Sequence, residues 1–69
     1  MSNGNVYRIT EIVGTSTHSI DDAIRTALKR ANQTLRNLDW FEVAETRGQL
    51  SDGDVAYFQV TLRLGFRLE

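Results

Sequence analysis

Val55-Ala56-Tyr57-Phe58-Gln59-Val60-Thr61-Leu62-Arg63-Leu64-Gly65-Phe66-Arg67-Leu68 is the stretch that decides the fold. Ala56, Phe58, Val60, Leu62, Leu64, Phe66 and Leu68 point one way, and Tyr57, Gln59, Thr61, Arg63, Gly65 and Arg67 point the other. Successive side chains alternate across a strand, so this pattern predicts a long strand with one apolar face. Just before it, Ser51-Asp52-Gly53-Asp54 carries turn chemistry: aspartates for local hydrogen bonds and a glycine for positive φ. A partner strand is therefore expected over Asp39–Leu50, forming a hairpin.

Upstream, Ile20, Ile24, Ala27, Leu28, Ala31, Leu35 and Leu38 recur at steps of three and four. That spacing predicts a helix over Ile20–Asn37 with a single apolar stripe. Ser19 is a good N-cap, with Asp22 in the place of a capping-box partner. Asp21 and Asp22 lie at the positive end of the helix dipole, and Arg30 and Arg36 toward the negative end. Asn5–Val13 is rich in β-formers and reads as a first strand, which Gly14-Thr15-Ser16-Thr17 interrupts. The predicted fold is α+β, in β-α-β-β order, as a single domain over 1–69.

Sixty-nine residues bury only about 60% of their extended surface, so such a domain needs a staple. Cysteine is absent and His18 is the only histidine, which excludes disulfides and the usual zinc ligand sets. Oligomerisation remains. Geometry agrees: the expected helix spans about 27 Å and the last strand about 45 Å. One helix cannot cover that strand, and the end Leu64-Phe66-Leu68 is expected to overhang as an interface.

The net charge is −1, from eight basic and nine acidic residues, with no basic stripe to attract nucleic acid. Met1-Ser2-Asn3-Gly4-Asn5 does not resemble a signal peptide, and no apolar run has membrane-spanning length. A soluble, cytoplasmic protein without nucleic-acid or membrane partners is the expectation.

Phe41 and Val43 are the natural core residues of the second strand. Setting them beside Leu64 and Leu62 puts Trp40 on the opposite, polar face, next to Gly65. Uninterrupted alternation would then turn Arg47 and Gln49 inward, so a β-bulge near Ala44-Glu45 is expected. It returns Leu50 to the core and sets Arg47 beside Gln59. A tryptophan opposite a glycine presents an uncovered indole, which serves either an oligomer contact or a planar ligand. Trp40 and Gln59 then lie about 20 Å apart along the sheet, so one ring cannot touch both within a chain.

The chain resembles the dodecins. The resemblance rests on Val6-Tyr7-Arg8, Glu11-Ile12-Val13-Gly14-Thr15-Ser16, Leu38-Asp39-Trp40-Phe41-Glu42-Val43, Arg47-Gly48, Phe58-Gln59-Val60 and Gly65-Phe66-Arg67-Leu68. It implies a three-stranded antiparallel sheet wrapped around one helix, and twelve copies in a hollow sphere. It also implies flavins held in pairs at two-fold axes, stacked on Trp40, with Gln59 on the polar edge of the ring. The bacterial type is the better match, which implies FMN, with riboflavin or FAD as substitutes and Arg47 and Arg67 near the ligand. Some relatives suggest coenzyme A at a further site. The role implied is flavin storage and suppression of flavin photochemistry, without catalysis. The competing readings are a flavin-dependent redox enzyme and a ligand-free assembly module.

Other residues attract plainer readings. His18, with Ser16, Ser19 and the aspartates, lacks a nucleophile elbow and an oxyanion hole, so no hydrolytic triad is expected. Gly14-Thr15-Ser16 lacks a phosphate-loop motif and reads as turn and cap. Glu42 and Glu45 read as surface ion-pair partners.

Overall fold

In the computed structural model, which describes residues 4–68, the chain runs β1 (Tyr7–Ser16), α1 (Ile20–Ala31), β2 (Leu38–Ser51) and β3 (Asp54–Arg67). The reading of the N-terminus falls partly on Met1–Asn3, outside the described residues. The sheet is antiparallel with β3 in the centre, in the order β1-β3-β2. Asp52 and Gly53 link β2 to β3 with φ of 52° and 80°. Two successive positive φ values make the turn whose twist matches a right-handed hairpin.

The core lies between α1 and the even-numbered face of β3. Val60, Leu62 and Leu64 are fully buried beneath Ala23, Ala27 and Ala31, with Ile12, Ile20, Ile24, Leu28, Leu35 and Leu38 around them. Burying each such large aliphatic side chain stabilises the fold by about 1.5–3 kcal/mol. Alanines on the helix face let it lie close to the sheet. Gly14 sits at the closest approach: a Cβ there would come within 2.7 Å of both Ala23 O and Ala27 Cβ. Gly14 thus lies inside β1, which continues to Ser16, and does not break it.

The helix ends at Ala31, six residues before the expected Asn37. Asn32 and Thr34 are poor helix formers whose side chains compete for backbone groups. Gln33 N and Thr34 N bond three residues back, to Arg30 O and Ala31 O, and Thr34 Oγ1 donates to Ala31 O as well. Asn37, with φ of 62°, then swings the chain into β2. Leu35 and Leu38 still reach the core, but from the turn and the strand. Lys29 and Arg30 therefore form the basic last turn, and Arg36 lies beyond it.

At the other end, Ser19 caps as expected, its Oγ accepting from Asp22 N at 3.0 Å. Ser16 is buried and knits the β1–α1 turn. Its Oγ donates to Asp22 Oδ2 at 2.6 Å and accepts from His18 N and Ser19 N.

The overhang falls only in part where expected. Leu68 is exposed, but Phe66 is half-buried and Leu64 fully buried, and most of the exposed apolar surface is Phe41, Val43, Leu50 and Val55 on the hairpin. A helix of twelve residues is only about 18 Å long, and it lies across β1 and β3, leaving most of β2 beyond Leu38 exposed. Leu50 does not return to the core; a register shift between Gln49 and Leu50 sets it against Val55, and it is 66% exposed. The hairpin projects from the body, giving extents of 59 × 20 × 14 Å and a radius of gyration of 14.7 Å. A compact chain of this length would have about 11 Å.

Candidate functional site

The site is built on the sheet face away from the helix. Its key geometry starts where β2 leaves the turn. Arg67 N donates to Asn37 O at 3.2 Å and Asn37 Nδ2 donates to Arg67 O at 3.3 Å, clamping the start of β2 to the end of β3. Leu38 then pairs with Phe66, but Trp40 pairs with Gly65, so Asp39 is an extra residue on β2. Positions two apart on a strand normally share a face. The irregularity at Asp39 is what lets Leu38 enter the core while Trp40 points outward. The helical spacing of Leu38 in the sequence hides this irregularity; the conflict between an inward Leu38 and an outward Trp40 is the signal that betrays it.

From Trp40 the register runs as expected. Phe41 opposes Leu64, Val43 opposes Leu62, a shift falls between Val43 and Glu45, and Arg47 opposes Gln59. The indole lies directly over Gly65. A Cβ on Gly65 would collide with Trp40 Cε2 and Cζ2 and come within 2.5 Å of Nε1. Gly65 is buried under that ring, while Trp40 remains 41% exposed. One face of the indole therefore rests on backbone and the other is open.

Cross-strand pairing arranges the outer face in rows. Ile9, Gly65 and Trp40 make one row; Glu11, Arg63 and Glu42 make the next. Thr15, Gln59 and Arg47 make another, three rows from Trp40. The face is less polar than the sequence implied, because Ile9 and Val13 on β1 are both exposed there. In the ionic row, Arg63 Nε donates to Glu11 Oε2 at 3.1 Å and Nη1 to Glu42 Oε1 at 3.2 Å. The hydrogen bond to Glu42, then that to Glu11, with their charges, holds the guanidinium even more firmly protonated than an ordinary arginine. Exposed pairs of this kind add little to stability, because water and salt screen them.

Of the four residues expected at the site, Trp40 and Arg67 lie at one end of β3, and Gln59 and Arg47 nearer the other. Gln59 lines a small polar hollow with Arg47, Gly48 and Gln49, and Arg47 pairs with Glu45 at 3.6 Å. Six residues of β3 separate Gly65 from Gln59, or about 20 Å. Within one chain, Trp40 and Gln59 are not brought together. His18 is exposed, and its neighbours Ser16 and Asp22 are occupied in capping the helix. Among the described residues, no cluster of His, Asp or Glu is arranged to hold a metal, and no helix is long and apolar enough to cross a membrane.

Comparison with known proteins adds to this geometry. The family model described as Dodecin matches residues 6–69. A dodecin of Thermus thermophilus is 53% identical over 66 residues, covering 96% of each chain. The structure of dodecin from Streptomyces coelicolor superposes with a TM-score of 0.91 at 62% identity, covering 100% of this chain and 97% of that one. Solved variants of the Thermus thermophilus dodecin also match, at 52% identity over 96% of this chain and 98% of theirs, with a TM-score of 0.90 for one arginine-to-alanine variant and 0.89 for a tryptophan-to-phenylalanine variant.

Proposed function

The chain belongs to the dodecin family, and from that premise we propose that it is a non-catalytic flavin-binding protein that stores flavin and suppresses its photochemistry. The observation that carries the proposal is the indole of Trp40, laid across Gly65 with its outer face open. An isoalloxazine ring is planar and electron-poor, and an indole is planar and electron-rich, so offset stacking suits both. Gln59 offers a donor and an acceptor on one amide, matching the alternating carbonyl and N–H edge of the flavin pyrimidine. Arg47 and Arg67 supply guanidinium forks for a phosphate, which favours FMN over riboflavin. In support, the solved Thermus thermophilus variants replace one tryptophan and two arginines, and a single numbering offset of two brings all three onto Trp40, Arg47 and Arg67.

Assembly is part of the same proposal. The exposed Phe41, Val43, Leu50 and Val55 on a chain of radius 14.7 Å are apolar surface that neighbours would cover. A homododecamer, as in the family resemblance, would put two-fold axes beside Trp40. There the residues one copy presents are presented by its mate as well. The separation of Trp40 from Gln59 supports a site completed across chains, with the two residues on one flavin coming from different subunits.

A bound flavin would be a strong one-electron oxidant in its excited state; Trp40 in contact with it would donate an electron and take it back, leaving both in the ground state. A ring covered on one side by Trp40 and on the other by a second flavin leaves no open position for a substrate. The test is direct. Purified protein is expected to bind FMN with strong quenching of its fluorescence and to have the native mass of a dodecamer. Trp40→Ala is expected to lose most of both affinity and quenching. Unchanged quenching in that variant refutes the stacking, failure of the parent protein to bind FMN favours a structural module, and steady turnover of a reduced nicotinamide favours an enzyme.

A further inference from the structure

Trp40 sits on an irregular part of the sheet. The pairing of β2 with β3 is interrupted between Leu38 and Trp40 and again between Val43 and Glu45, leaving four residues of regular ladder between two irregularities. The helix covers this part of β2 only at its edge, where Phe41 borders a hollow with Ile24 and Leu28, and Phe41 and Val43 remain exposed on its inner face. Bulges bend a strand and disturb its ladder locally. An indole carried on such a segment needs another restraint to stay flat.

One restraint stands in the adjacent row. Arg63 on the central strand reaches Glu42 of β2 with one nitrogen and Glu11 of β1 with another, so a single guanidinium ties all three strands together. Glu42 is two residues from Trp40 and shares its face, and Arg63 is two residues from Gly65. We propose that Arg63, held between Glu11 and Glu42, is a positioning residue for Trp40: it fixes β2 over β3 so that the indole is ordered over Gly65 before any ligand arrives.

The charge arrangement separates this role from ligand binding. Arg63 and Arg67 flank the Trp40 row on either side, and either could serve a phosphate by distance along the strand. Arg63 is committed to two carboxylates, and its row carries a net negative charge that repels an anion. Arg67 makes no side-chain ion pair with a described residue. Arg63 therefore acts on the ring platform and not on the phosphate. This deepens the flavin reading and rests on it in part.

The experiment is Arg63→Met, which keeps the length of the stem and removes the guanidinium. Trp40 is the only tryptophan, so its fluorescence anisotropy in flavin-free protein reports the order of the indole directly. The anisotropy is expected to fall, and the Kd values of FMN and riboflavin to rise together by on the order of tenfold, the cost of ordering a side chain on binding. Arg63→Lys, which keeps the charge, is expected to restore part of both. Weakening of FMN alone would make Arg63 a phosphate contact and overturn the proposal. Unchanged riboflavin affinity, or unchanged anisotropy, overturns it too. Should Arg63→Met fail to assemble, Glu42→Gln is read by the same criteria, with a smaller equal loss for both flavins expected. If the parent protein binds neither flavin, the functional reading fails, while the anisotropy still decides whether Arg63 orders the indole.

Discussion

Gly65→Ala is the substitution that isolates the platform from everything else in the fold. Gly65 lies in regular strand, so its need for glycine comes from the indole above it and not from its own backbone. The added methyl would stand within 2.5 Å of Trp40 Nε1 and closer still to Cε2 and Cζ2. Carbon atoms pack at about 3.5–4.0 Å, so the ring must rise by more than about 1 Å or leave its rotamer. An off-rotamer side chain costs about 0.5–1.5 kcal/mol, and overpacking of a close contact about 1–3 kcal/mol. Returning the indole to the flat position that a stacked ring requires therefore costs about 1–3 kcal/mol per chain, or roughly five- to 150-fold in Kd. The core residues Val60, Leu62 and Leu64 point to the other face, so far-ultraviolet dichroism and native mass should match the parent. Titration of FMN against each protein, followed by flavin fluorescence, measures the effect. Parent-like affinity and quenching in Gly65→Ala would refute the placement of the indole as the ring's platform.

Two further substitutions test how the helix is seated. Gly14→Ala drives a methyl to 2.7 Å from the carbonyl of Ala23, which is backbone and cannot yield, and from the Cβ of Ala27. A loss of about 1–3 kcal/mol is expected, read as a lower denaturation midpoint at fixed protomer concentration. Ser19→Ala removes the acceptor for Asp22 N and should cost about 1 kcal/mol, whereas Ser19→Gly should cost only a few tenths. Parent-like stability in Ser19→Ala would mean that the cap contributes nothing.

How much was legible from sequence depends on whether the controlling interaction is periodic. The alternation of Phe58, Val60, Leu62 and Leu64 has a period of two, and shifting it by one residue exchanges core for solvent, so the pairings of Trp40 with Gly65 and Arg47 with Gln59 could be read in advance. The bulge near Ala44-Glu45 followed from the same logic, because alternation without it turned Arg47 inward. The helix start was legible in Ser19, whose side chain acts locally. Its end was not. Leu35 and Leu38 continue the helical spacing, yet they reach the core from a turn and a strand, since apolar side chains are buried wherever the chain delivers them. The irregularity at Asp39 escaped for the same reason, and Leu50 stayed exposed because the hairpin tip extends past anything the helix can cover.

Local pattern and covalent connection thus determined the β-α-β-β order, the long hairpin, its register and the outward face of Trp40. What only the tertiary structure decided is which distant elements meet: β3 between β1 and β2, Gly14 against Ala23 and Ala27, and Arg63 between Glu11 and Glu42. Periodicity reports how a segment divides between inside and outside. It carries no information on neighbours 52 and 21 positions away in the chain, which only the docking of strands side by side brings within hydrogen-bonding distance.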